Sequence, residues 1–391
     1  MFYHLCALAL IALVLGLAAI RRCSLYSPLV ISASIWLFVF IIGLIAEESY
    51  YPIQEKAFIA WLIWFMTTSL IFFLLYPSSM KSVWIRADIR RIPIDYTLPL
   101  LLLIAWLCYR IWVVGSSGPG DFFLNLRMAA ISTEGFTNLG FVIIRLHPLV
   151  FALFLFEHYF SNRENKKLRL LLWCFMLLYA IATMGKYYIL IPMVSWTIIQ
   201  GIAGRLNTTK IALMAAGVFP LAMALHFIRG GSVSDAHTIW KIVALYTYSP
   251  IVAFGYMDID TSLPIGAHVF RFFYAIGSIF HITPQPVDLA FAFVQVPELT
   301  NVFTVMHTFY YDFGLLGVEL GAVFYGLFFS CLYFLSIKKG GLWMVLFSIY
   351  SVALVLQFFV EHLFMGLSFN LQIFFYSSAI FLVSRKVSYV H

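Results

Sequence analysis

Runs of about twenty consecutive apolar residues recur along the chain, and nothing constrains its fold more. A helix of that length crosses the roughly 30 Å hydrocarbon core of a bilayer. On that rule eleven spans are expected, at 3–20, 28–46, 57–76, 96–114, 140–160, 170–185, 187–203, 211–228, 313–336, 341–360 and 365–383. The first run resembles a signal sequence but is too long and ends in Arg21 and Arg22, so it reads as a retained span. Of the 391 residues, 63% are apolar and 10% charged, against about 45–50% and about 25% in soluble domains. That gap excludes a water-soluble enzyme, a disordered chain and a nucleic-acid binder. The expected fold class is an all-α polytopic membrane protein, with 1–391 a single integral membrane domain.

The net charge of +7 has to be mapped onto the connectors before it means anything. Sixteen of the 24 Lys and Arg fall in alternate connectors: Arg21, Arg22; Lys81, Arg86, Arg90, Arg91; Arg163, Lys166, Lys167, Arg169; Arg205, Lys210; Lys338, Lys339; Arg385, Lys386. The positive-inside rule makes that side cytoplasmic, with the amino terminus outside and the carboxyl terminus inside. Eight cations remain at the outer side or nearby span ends: Lys56, Arg110, Arg127, Arg145, Lys186, Arg229, Lys241 and Arg271. Orientation explains the first group. The second is the better place to look for chemistry.

Two outer connectors are long. One covers 115–138, opening with Gly, Ser and Pro before a short amphipathic stretch. The other covers 229–312, between the eighth and ninth spans, and contains apolar segments at 239–257 and 265–282. As a further hairpin of spans, these segments would sink Lys241 and Arg271 into hydrocarbon at a few kcal/mol each. The preferred expectation is interfacial helices on the outer leaflet, aromatic faces toward lipid.

No phosphate-cradling loop, dinucleotide fingerprint, zinc-protease helix or nucleophile elbow occurs. Cys6, Cys23, Cys108, Cys174 and Cys331 show no metal-ligand spacing, so neither a metal nor a cofactor is expected. Without a nucleotide site, a reaction on the outer face needs a donor that is already activated. Arg229 precedes Gly230 and Gly231, a pattern that brings a guanidinium and free N–H groups to an anion. Arg271 lies in HVFRFFY, and Lys186 sits in the tight TMGK turn at the start of span seven, where helix dipole and ammonium favour an anion together. Arg127 stands alone in the first outer loop. For each cation the plainer reading is a headgroup anchor. The stretch 301–314, NVFTVMHTFYYDFG, is dense in hydrogen-bonding groups: Asn301, Thr304, His307, Tyr310, Tyr311 and Asp312. Asn301, Thr304 and His307 or Thr308 recur at helical spacing and are expected on one face. Asp312 can take a proton or orient an Arg, and His307 can act as a base. Against that stands the commoner structural histidine. Glu361 and His362 fall on the same side and are expected beside this cluster.

NVFT followed by YYDFGLLG resembles the signature that precedes a late span in Wzy-type O-antigen (oligosaccharide repeat-unit) polymerases. YTYSPIVAF at 246–254 resembles a segment of their large periplasmic loop, and TMGK at 183–186 their tight turn. The resemblance implies a bacterial inner-membrane glycosyltransferase with its active site at the periplasmic face. It would move a growing glycan from undecaprenyl pyrophosphate to the non-reducing end of a lipid-linked repeat unit. Arg229, Arg271, Lys186 and Arg127 would hold the pyrophosphate; Asp312 or His307 would act on the acceptor hydroxyl; Asn301, Thr304, Tyr310 and Tyr311 would contact glycan. The implied partners are the undecaprenyl-pyrophosphate-linked oligosaccharide, membrane lipids, a chain-length regulator and a flippase. An O-antigen ligase with the same donor remains an alternative. So does a lipid-linked oligosaccharide flippase, though charge gathers at span ends rather than mid-span, which favours surface chemistry over passage.

Overall fold

The computed structural model describes residues 1–77, 90–131, 141–160, 165–206, 209, 238–259, 262–288 and 291–386. In chain order the helices are α1 (Phe2–Ile20), α2 (Pro28–Ala46), α3 (Glu55–Leu74), α4 (Thr97–Ser116), α5 (Phe122–Ile131), α6 (Phe141–Phe160) and α7 (Lys166–Thr183). They continue with α8 (Lys186–Ile202), α9 (Thr238–Thr247), α10 (Ser249–Tyr256), α11 (Arg271–Ile279), α12 (Met306–Lys339), α13 (Leu342–Val355) and α14 (Leu367–Val383). Two antiparallel strand pairs complete the described chain: β1 (Arg90–Arg91) with β4 (Arg385–Lys386), and β2 (Val294–Gln295) with β3 (Leu299–Thr300).

Among the described residues six helical segments are long and apolar enough to cross a membrane: Phe2–Ile20, Pro28–Ser49, Glu55–Leu74, Thr97–Ser116, Ile143–Phe160 and Met306–Lys339. Tyr187–Ile202, Leu342–Val355 and Leu367–Val383 are shorter apolar helices. The chain is therefore a multi-pass, all-helical membrane protein. The expected span 211–228 lies outside the described residues.

The chain divides into two compact units. One comprises Met1–Met80, Val233–Phe334 and Tyr350–Asn370; the other comprises Lys81–Ser232, Leu335–Ile349 and Leu371–His391. In the first unit, α2 starts with Ser27 capping Val30 N–H at 3.4 Å and Pro28 at the first helical position. Trp36, Phe40, Trp61, Trp64 and Phe65 form its buried aromatic core, with the Trp61 and Phe65 rings stacked 5.1 Å apart. Gly43 has no side chain because the Tyr248 ring occupies that space: a Cβ would lie 2.6 Å from it.

Connectors expected on one side of the membrane meet. The amino terminus pairs with Glu47, Lys56 Nζ donates to the Met257 carbonyl at 3.1 Å, and Tyr50 donates to the Lys241 carbonyl at 3.0 Å. At the other end of the same helices, Arg21 donates to the carbonyls of Phe73 and Tyr76. In the second unit, Arg205 donates to the carbonyls of His158 (2.7 Å) and Tyr159 (3.0 Å), filling the open acceptors at the end of α6. Arg90 reaches Ser384 Oγ at 3.3 Å beside the β1–β4 pair.

One expectation changes in part. Segment 239–257 folds as α9 and α10; Trp240 of α9 is exposed, but residues Ser249 to Gly255 of α10 are all buried, so α10 turns no face outward. Small and β-branched residues (Ala253, Gly255, Val252) let α10 pack closely on α3; a Cβ on Gly255 would come 3.0 Å from the Gln54 side chain. Carboxylates within two of the helices have hydroxyl partners. Glu157 in α6 accepts from Tyr96 Oη at 2.7 Å, and Glu319 in α12 accepts from Thr67 Oγ1 at 2.9 Å. Hydroxyl partners of this kind offset part of the cost of a carboxylate inside such a helix.

Candidate functional site

In the first unit, the segment 262–312 folds back on itself around Asp312. A turn at 264–267 begins it: Ala267 N–H donates to the Pro264 carbonyl at 3.1 Å, and Gly266 adopts φ +76°. A Cβ at Gly266 would also lie 2.5 Å from the Phe270 ring, so glycine is required twice over. The turn aims successive backbone N–H groups the same way. Asp312 receives them: His268 N at 3.1 Å and Val269 N at 2.7 Å on Oδ2, and His268 Nδ1 at 3.0 Å on Oδ1. Both side chains are buried. Asp312 thus fixes the loop and orients an imidazole, and the ring's Nε2 faces away from the carboxylate. His268 was not singled out from the sequence. The signal was available, because it stands three residues before Arg271 in the same HVFRFFY segment.

His307 lies beside this pair, 6.1 Å from His268 between ring centroids, and packs on Phe291 (4.1 Å), Phe303 (4.4 Å) and Tyr311 (5.5 Å). Its Nδ1 and the Thr304 hydroxyl are buried without a hydrogen-bond partner. Tyr311 packs tilted against His268 with ring centroids 4.4 Å apart, whereas Tyr310 turns to Phe254 of α10 at 5.1 Å. Segments 246–254 and 301–314 are therefore in contact. Arg271 opens α11 and donates through Nε to the Val287 carbonyl at 2.7 Å. Burial holds its guanidinium below the ordinary value, and the nearby Asp288 carboxylate pulls it back up.

Two expectations about this cluster are corrected. Asn301 and Thr304 do not share a helical face with His307. The chain enters the helix only at Met306, because the β2–β3 hairpin ends at Thr300, residues 301–304 are irregular, and Val305 N–H is held by the Gln357 carbonyl at 2.7 Å. Asn301 is half-buried in that connection. Glu361 does not join the cluster either. Its carboxylate is enclosed by Tyr325 Oη (2.5 Å) and the N–H groups of Leu363 (2.8 Å), Phe364 (2.8 Å) and Met365 (2.7 Å).

Lys186 and Arg127 belong to the second unit. There α7 ends at Met184 in a left-handed conformation (φ +47°), with Gly185 N–H returning to the Ala180 carbonyl at 3.2 Å. The backbone of Lys186 then starts α8. Arg127 sits on α5, which packs on α7, and it acts electrostatically on Tyr188, two residues beyond Lys186. Tyr188 bonds to Tyr179, whose ring stacks on His147 at 3.9 Å. Arg127, alone in its loop in the sequence, is thus brought near this turn. Arg229 lies outside the described residues. Among the described residues no group of three His, Cys, Asp or Glu gathers as a metal ion would need.

No family model, curated protein or solved structure matches the chain.

Proposed function

We propose that this chain is an O-antigen or related polysaccharide polymerase of the Wzy type, in a bacterial inner membrane with its site at the periplasmic face. It transfers a growing glycan from undecaprenyl pyrophosphate to the non-reducing end of a lipid-linked repeat unit. One observation carries the reading: the segment NVFTVMHTFYYDFGLLG, which resembles that family, gathers His307, Tyr311 and Asp312 around His268 and sets Tyr310 against the second resembling segment.

The chemistry asked of such a site is modest. Pyrophosphate leaves as a stable anion and needs cations near its developing charge, each well-placed donor contributing about 3 kcal/mol. Arg271, Arg229, Lys186 and Arg127 supply them. The acceptor hydroxyl needs a proton acceptor. His268, held in one tautomer by Asp312, takes that part, with His307 as its neighbour; this shifts Asp312 from base to orienting group. Asn301, Thr304, Tyr310 and Tyr311 supply sugar contacts. Two lipid-anchored substrates held in one place supply much of the remaining acceleration through proximity.

Deleting the gene in its host should collapse the surface glycan to a single repeat unit on its anchor. Arg229→Ala and Arg271→Ala, at normal protein level, should reproduce that pattern. Loss of all surface glycan in the deletion would point to a ligase or flippase instead. Long ladders in both alanine variants would remove charge stabilisation from the mechanism.

A further inference from the structure

A cavity of about 760 Å³ opens in the second unit where α4 passes into α5. Its floor is built by sequence. Ser117, Gly118, Pro119 and Gly120 leave the helix in a tight loop, and Asn125 knots it: Nδ2 donates to the carbonyls of Gly115 (2.8 Å) and Gly120 (2.9 Å) while Oδ1 accepts from Gly120 N–H (3.0 Å). Gly118 cannot carry a side chain, since a Cβ would lie 2.2 Å from Asn125 Oδ1. The loop is therefore a fixed wall. Val113, Val114, Leu124 and Met128 give the cavity an apolar side, with Ser117 and Asn125 as polar neighbours, and its volume is that of an ordinary small-ligand site.

One cation faces this space. Arg110 lies on α4 six residues before the helix ends at Ser116, about 9 Å along the axis. A guanidinium at that depth in an apolar helix costs a few kcal/mol unless an anion meets it. Among the described residues Arg110 has no hydrogen bond or ion pair, and its Nε is buried without a partner. An arginine that merely snorkels keeps its head in the open interface. Arg110 lines an open cavity in which its Nε is covered and the side chains of Val113, Leu124 and Met128 offer an apolar track beside the guanidinium.

We propose that this cavity binds the phosphate group of a lipid, with Arg110 on the phosphate and the apolar chain along Val113, Leu124 and Met128. The site shares no residue with the histidine cluster, and it holds whether or not the chain is a glycosyltransferase. The shared chemistry is a phosphate on a long apolar chain, which a polyprenyl phosphate and an anionic glycerophospholipid both offer.

The test measures binding of undecaprenyl phosphate, phosphatidylglycerol and inorganic phosphate to the full chain purified in neutral detergent, by native mass spectrometry. At least one lipid should occupy the protein saturably. Arg110→Gln should weaken it at least tenfold, and Arg110→Lys should weaken it less, because a point charge replaces a fork. Whichever lipid is preferred identifies the source. Met128→Trp fills the exposed wall, leaves the cation in place, and should also weaken binding; it decides the matter if Arg110→Gln does not fold. Three results would overturn the site: no lipid bound by the wild type, lipid binding unchanged in the variants, or inorganic phosphate bound as tightly as either lipid.

Discussion

A buried carboxylate survives in a folded protein only if donors surround it, and Glu361 meets that condition with a tyrosine hydroxyl and three backbone N–H groups. It sits in the turn between α13 and α14. Burial pushes its carboxyl above the ordinary range, and these hydrogen bonds pull it part of the way back. A raised value means the folded state holds the proton more tightly than the unfolded one. Its contribution to stability is therefore complete in acid and is lost as pH climbs from about 4.3 through the raised value. Glu361→Gln should flatten that part of the thermal-stability profile in detergent. It should also cost about 1–3 kcal/mol at every pH, because an amide NH₂ meets donors. Identical slopes for the two proteins would refute the assignment. His362, held down to about 4 by burial, acts with the opposite sign. It is common to both proteins and cancels in the difference.

Among the elements, α12 carries the most information. Its 34 residues would reach about 51 Å as one straight helix, far beyond a bilayer core. Gly314 breaks it with φ +62° and ψ −149°, a conformation that belongs to glycine. The chain before the break bends back so that the Phe309 carbonyl and ring lie against Gly317 and Gly321, where a Cβ would approach to 2.2 Å and 2.7 Å. Gly314→Ala meets no neighbouring atom, so its cost is purely dihedral, about 1–3 kcal/mol; Gly317→Ala adds a steric cost. Both should lower the unfolding temperature in detergent, whereas Gly16→Ala in α1, with open space around it, should not. The sequence put a span at 313–336 after a polar cluster, which is close to what forms. It could not show where the helix begins, because Asn301, Thr304 and His307 have helical spacing while the strand ends at Thr300 and the Gln357 carbonyl holds the N–H of Val305. A long-range hydrogen bond leaves no local trace.

For the molecule as a whole, apolar runs and charged connectors were the legible part. Ends expected on a common side do meet, as Arg21 does with the end of α3 and Lys56 with Met257. Side-chain partnership was not legible: nothing local announces that Asp312 belongs to residues 268 and 269, or that Arg127 approaches the turn of Lys186. The sidedness proposal makes a direct prediction. A reporter fused after Asp260 should be active only if exported, and one fused at His391 only if retained in the cytoplasm; the reverse pattern would invert every connector. The carboxylate of Asp312 also has a consequence for how such chains diverge. Because it grips positions 268 and 269 across more than forty residues, it closes that excursion at the root like a drawstring. Doubling a closed loop costs only about 0.6 kcal/mol. The contents of the bag can therefore be exchanged or lengthened while the knot stays tied.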